Sequence, residues 1–203
     1  METPIAQERR GAVAVLRLTH GRANALDVEL CEALTDALSA AEQDGAAAIV
    51  LTGGGGIFSA GVDLRRVLAG GADYLREFLP ALRACFERLA FLERPVVAAV
   101  NGHAIAGGFV LLAAADQAVM AGGDGRIGVT ELLVGVPFPT IALELVRLRA
   151  GTRQAAELAY RGLTCQAAEA TSRGLVDEVV EPTALVDRAV ELAAALAAAG
   201  PAF

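Results

Sequence analysis

Residues 95–116 read PVVAAVNGHAIAGGFVLLAAAD. Pro95 to Val100 is a short apolar run, the composition of a strand covered on both faces. Asn101 and Gly102 break it, and from Gly107 the chain carries no ionisable side chain until Asp116. So apolar a stretch predicts a buried helix, yet it opens on Gly107 and Gly108, the residue type that most weakens helices after proline. Strand, glycine turn and buried helix in that order are the unit of an α/β fold. The glycines admit two readings: they let helix pack closely on strand, or they bare the N–H groups that a helix's first turn leaves unpaired, at a site for an anion.

The same order recurs outward from this stretch. AVAVLRLTH (12–20) predicts the opening strand and AAAIVLTGGGG (46–56) a second, doubly buried strand ending in a sharp turn. Between them runs an amphipathic helix with Asp27 as N-cap, Leu30, Leu34, Leu38 and Ala41 on its apolar face, and Gly45 as its stop. Residues 73–95 predict a helix limited or kinked by Pro80. Downstream come strands at QAVMA (117–121) and RIGV (126–129), a helix over 139–150, and helices capped by Thr152 and Thr164, the latter stopped by Gly174. A strand at VDEVV (176–180) and an alanine-rich helix from Thr183 follow. Alternating strands and helices imply α/β with largely parallel pairing, and neither repeat nor linker divides the 203 residues, so a single domain over 1–203 is expected.

Composition removes several function classes. The formal net charge is −7 with no basic cluster longer than two residues, so nucleic acid is not an expected partner. All 17 basic residues are arginine, which excludes lysine Schiff-base chemistry and a Walker-type phosphate lysine. Cys31, Cys85 and Cys165 are scattered and odd in number, so buried thiols are expected, with neither a disulfide framework nor a metal site. A polar N-terminus and the lack of a long apolar run predict a cytoplasmic protein without membrane attachment.

Among the glycine-rich segments, 53–56 lacks the lysine and hydroxyl residue of a phosphate loop, and Ser59 lacks the preceding glycine of a nucleophile elbow, Ile57 standing there instead. FSAGVDL (58–64) and NGHAIAGGF (101–109) share a context: each follows an apolar strand and opens a helix. Two bared N–H groups converging on one point would hold an oxyanion without any side chain.

Together with RANALD (22–27) and IGVTELLVGVPF (127–138), these segments resemble the enoyl-CoA hydratase/isomerase, or crotonase, superfamily, in order and spacing from about residue 11 onward. The resemblance implies repeated ββα units forming a spiral core over about 11–181, with 182–203 beginning a C-terminal helical region. It implies an oxyanion hole for a coenzyme A thioester, its donors the N–H groups of Val62 and Gly107, flanked by Ala60, Asp63, Leu64 and Gly108. The adenine end would lie along Ala23, Asn24 and Ala25. Arg22, Arg65 and Arg66 either offer charge to its phosphates or are solvated surface arginines.

Hydratases of this superfamily use two glutamates. The first falls three residues beyond Gly107, where this chain has Val110. The second matches Glu131, set among Ile127, Val129, Leu132, Leu133, Val134 and Val136. Desolvation there would raise its pKa towards that of a base working near neutrality, although an acid stabilised at a helix N-terminus fits the same position. One carboxylate with an oxyanion hole is the equipment of the superfamily's 3,2-trans-enoyl-CoA isomerases, which also share AGG followed by apolar residues and PF after the glutamate segment. An apolar wall of Val110, Leu133, Val136 and Phe138 is expected to take the acyl chain, though core packing alone would also place a valine at 110. Hydration, or acyl-CoA binding without turnover, are the alternatives.

No metal or separate cofactor is expected, coenzyme A being part of the substrate. Resembling chains continue past the alanine-rich helix into further helices that cover the acyl pocket and build homotrimers or dimers of trimers. This chain ends at Phe203, so an altered lid is expected, with exposed apolar surface covered by another subunit. His103 is expected to be a satisfied core histidine.

Overall fold

The computed structural model describes residues 3–200; Phe203 and the chain's first and last few residues lie outside them. Two sheets form the scaffold. The larger comprises β1 (Ile5–Arg10), β2 (Val13–Leu18), β3 (Ala48–Gly53), β5 (Val96–Val100), β7 (Gln117–Ala121) and β10 (Glu178–Val180), hydrogen-bonded in that order. Only β1–β2 is antiparallel; the rest pair in parallel. The smaller sheet runs β4 (Ile57–Ser59), β6 (His103–Ile105), β8 (Arg126–Gly128) and β9 (Thr164–Gln166), with β9 alone antiparallel.

The doubly buried strands behave as their composition demands. Along β3, Ile49 and Leu51 point into the main core while Ala48 and Val50 point into a second one, and Val97 and Ala99 of β5 join the latter. That second core is closed by α7 (Leu185–Ala198), which seats Leu185, Ala189 and Ala193 on the outer face of the large sheet. The main core lies on the opposite face, beneath α1 (Val28–Gln43), α2 (Leu64–Ala90) and α3 (Gly107–Ala113). Asp27 caps α1 as expected, its carboxylate accepting the Leu30 N–H at 2.8 Å.

Several expectations are corrected. The chain opens with β1, not near residue 12. In IAQERR only Ile5 is buried, so this edge strand carries no apolar alternation. Helix α2 starts at Leu64, where Asp63 accepts the N–H groups of Arg65 and Arg66, and its break falls at Gly71 (φ 56°, ψ −142°) rather than at Pro80. Pro80 rides inside the helix. Thr164 begins strand β9, and α6 (Ala167–Ser172) starts only after Gln166. Thr152 is the first helical residue of α5 (Thr152–Arg161), which follows α4 (Thr140–Ala150) with Gly151 as the shared boundary. A 3-10 turn over Pro182–Ala184 precedes α7 where a helix from Thr183 was expected. The three cysteines are free and buried, as their spacing implied. No helix among the described residues is long and apolar enough to cross a membrane, and none of their His, Cys, Asp and Glu side chains group as metal ligands.

Candidate active site

The RANALD segment, the turn after β4 and the start of α3 are stitched together by backbone. Leu26 pairs with Val62: the Leu26 N–H donates to the Gly61 carbonyl at 2.8 Å and the Asp63 N–H to the Leu26 carbonyl at 2.9 Å. In a parallel pairing of this kind the bridged residue's own N–H faces the other way, so the Val62 N–H is left without a partner among the described residues. So is the Gly107 N–H, at the first position of α3.

These two groups are neighbours. A Cβ built on Gly61 (φ 84°) would lie 3.0 Å from the Gly107 nitrogen, and one built on Gly107 would lie 3.7 Å from the Val62 nitrogen. No side chain other than hydrogen fits between the segments at Gly61, whose Cβ would also meet the Ile105 carbonyl at 2.7 Å. The only non-glycine residues with positive φ among those described, Asn24 (46°) and Ala106 (53°), flank this junction. Such conformations cost of order 1–3 kcal/mol each and persist where the surroundings over-determine them.

Glu131 opens a 3-10 turn (Glu131–Val134) after Thr130, whose side chain makes no cap. It is 8 % exposed and its Oε2 is buried without a partner. Burial pushes its pKa up to about 7, against the pull of the Glu131 and Thr130 backbone groups. An apolar cavity of about 70 Å³ is lined by Glu131, Val62, Gly107 and Val110, with Leu64 and Val136 beside them. Its far wall is Leu75, Phe78, Leu82 and Phe86 of α2. Every residue of α3 is buried, and Val110 lines the cavity. Among the described residues, Glu131 is the only ionisable side chain lining this cavity. A wider open depression of about 370 Å³ between α4 and α5 holds Arg153, Gln154 and Glu157 and lies apart from these groups.

Not every expected residue arrives here. Leu133 is 65 % exposed and packs over Gly162, because the left-handed Gly135 that ends the turn carries the chain back to the cavity only at Val136. Phe138 leans half-buried on the main core without lining the cavity. Asp63 spends its carboxylate on capping α2, and the Ala60 N–H is bound by the Ala23 carbonyl. Asn24 is buried, its amide donating to the Ile57 and Phe58 carbonyls at 3.0 and 3.1 Å, so its side chain is a brace. Within that segment Ala25 keeps backbone groups without a partner among the described residues.

Arg66 is bound by Asp27 at 3.0 Å and by Glu29, and its guanidinium lies over the Tyr74 ring, so it is committed internally. Arg22 and Arg65 are exposed and make no ion pair among the described residues. His103 is half-buried on β6, where its Nδ1 accepts the Arg126 N–H at 3.2 Å. The α2 wall went unread in the sequence. Its apolar residues at 75, 78, 82 and 86 have a spacing that a core-facing helix also shows.

Residues 8–203 match the family model described as enoyl-CoA hydratase/isomerase. A Thermus thermophilus protein named among the enoyl-CoA hydratases is 37% identical, the match covering 97% of this chain and 79% of that one. The short-chain-enoyl-CoA hydratase of Clostridium acetobutylicum is 31% identical, over 92% of this chain and 72% of that protein. A solved structure of a Mycobacterium tuberculosis protein, described as an enoyl-CoA isomerase, superposes with a TM-score of 0.89 at 32% identity, covering 97% of this chain and 85% of that one. A second structure of the same protein carries a hydratase name.

Proposed function

Because the chain belongs to the enoyl-CoA hydratase/isomerase family, whose chemistry is done on acyl-CoA thioesters, we propose that it shifts the double bond of a 3-enoyl-CoA to give the conjugated trans-2-enoyl-CoA. The observation that carries this reading is that, among the described residues, one cavity holds two unpaired N–H groups and a single carboxylate, with Val110 lining it where the resemblance expects a second.

The substrate's thioester oxygen accepts from Val62 and Gly107. Glu131, ionised, removes a proton from C2; the electron pair spreads over C2, C4 and the oxygen as a dienolate, which the two N–H groups stabilise. Glu131 returns the same proton to C4, and the double bond settles between C2 and C3. Atoms and charge balance without water and without a cofactor beyond the coenzyme A that the substrate brings. Removing one donor of such a hole costs about 3 kcal/mol of transition-state stabilisation, so the N–H pair carries much of the rate. Apolar Val110 and Val136 keep water from the dienolate. Coenzyme A lies past Ala25, with Arg22 and Arg65 free to meet its phosphates.

Hydration is the second reading, favoured by the hydratase names among the relatives. It needs a group to activate water besides the one that handles the proton on carbon, and the cavity lining provides one carboxylate. We also expect a homotrimer or dimer of trimers, since Leu132, Leu133 and Val134 on the 3-10 turn and Leu148 and Tyr160 on α4 and α5 are exposed apolar side chains. The test of the mechanism is Glu131→Gln. Conjugation of a 3-enoyl-CoA, followed by ultraviolet absorbance, is expected to fall by about a hundredfold or more; unchanged activity removes Glu131 from the reaction.

A further inference from the structure

Ser59 ends β4 with its side chain fully buried, and no step above uses it. Its Oγ donates to the Asn24 carbonyl at 2.7 Å and accepts the Gly61 N–H at 3.2 Å. On its other side it carries α3: a Cβ at Gly108 would lie 2.3 Å from the Ser59 carbonyl oxygen and 3.0 Å from its Cβ. One residue therefore touches Gly61, just before Val62, and Gly108, just after Gly107.

The hydroxyl matters because of what Gly61 is. The peptide following Gly61 is held through its carbonyl by the Leu26 N–H, and the peptide preceding it is held through its N–H by Ser59. Glycine resists rotation between those two planes less than any other residue. Loss of the Ser59 restraint frees the peptide before Gly61, and that freedom passes through the glycine to the peptide that carries the Val62 N–H. Asn24 cannot replace it as an acceptor, since its Oδ1 already accepts the His20 N–H at 3.0 Å while its Nδ2 donates to Ile57 and Phe58.

We propose that Ser59 is the positioning residue of the oxyanion pair, its buried hydroxyl fixing the Gly61 peptide while its backbone seats Gly108, so that the Val62 and Gly107 N–H groups converge. This rests on the reading of those two groups as the oxyanion donors.

The test is Ser59→Ala beside Val15→Ala, which trims a buried residue of the second core far from the cavity. Two readouts are taken on folded protein: kcat and KM for a 3-enoyl-CoA, and the enolate absorbance of a bound 3-oxoacyl-CoA. Misaimed donors predict that Ser59→Ala loses about tenfold to a hundredfold in kcat. Its KM stays within about twofold, as for a contact made in the transition state, and the enolate band weakens. Val15→Ala lowers the melting temperature and keeps kcat and the band. Ser59→Ala with wild-type kcat and band overturns the proposal, as does an equal loss in Val15→Ala, which would report stability alone. Wild-type protein without turnover of a 3-enoyl-CoA overturns the double-bond reading instead. In that case the enolate band still decides on Ser59: a band equal in wild type and Ser59→Ala rejects its role.

Discussion

Glu131 is held among apolar side chains with one oxygen unpartnered and a pKa raised to about 7, which ties its chemistry to pH. As a base it must be ionised, so kcat/KM for a 3-enoyl-CoA is expected to rise through about pH 7 and level off above it. A profile flat across that range would mean another group takes the proton. Stability follows the opposite sign. The folded pKa lies above the ordinary 4.5, so the native state prefers the protonated acid. That preference is fully present below the unfolded pKa and is lost as pH rises through about 7. The difference is worth about 3 kcal/mol. Glu131→Gln is therefore expected to gain stability over wild type at about pH 8 and little at about pH 5, measured by denaturant unfolding. At this scale the sequence was informative: a lone acid in an apolar segment already implied desolvation. Leu133 and Phe138 were misplaced because alternation along the segment cannot tell which side of a left-handed turn faces the cavity.

Among the elements, α2 departs most from its sequence. Its first turns, carrying Leu64 and Val67 into the cavity, are set off from the remainder by Gly71. A Cβ at Gly71 would meet nothing within 4 Å, yet φ 56° with ψ −142° is a strained conformation for L residues. Gly71→Ala is thus a test of backbone strain alone. It is expected to cost about 1–3 kcal/mol, a fall in melting temperature of roughly 2–4 °C per kcal/mol for a chain of this size; an unchanged value would show that the kink does not depend on glycine. Sequence favoured Pro80 as the break because proline interrupts a helix by chemistry any reader can see. Gly71 breaks it only because the fold needs that angle. The three-residue strands β4, β6, β8 and β9 are too short to show a period, so only the RIGV segment of the smaller sheet was legible as a strand.

Across the whole molecule, the fold brings together what the chain keeps far apart: Val62 after β4, Phe78 on α2, Gly107 at the start of α3 and Glu131 on the 3-10 turn share one cavity. The doubly buried strands and the glycine-opened helix were legible because composition alone demands burial on both faces. The path from the RANALD segment to Val62 was not, since it runs through backbone pairings that leave no mark on side-chain pattern. As proposed, this assembly moves a double bond and does not add water. The direct measurement offers the purified protein a 3-enoyl-CoA and the trans-2-enoyl-CoA of the same chain length and follows absorbance and product mass. Conjugation of the first is expected with no change in mass, at a rate exceeding hydration of the second by about a hundredfold or more. Conversion of the second to a product heavier by one water, at a rate matching or exceeding conjugation of the first, would contradict it.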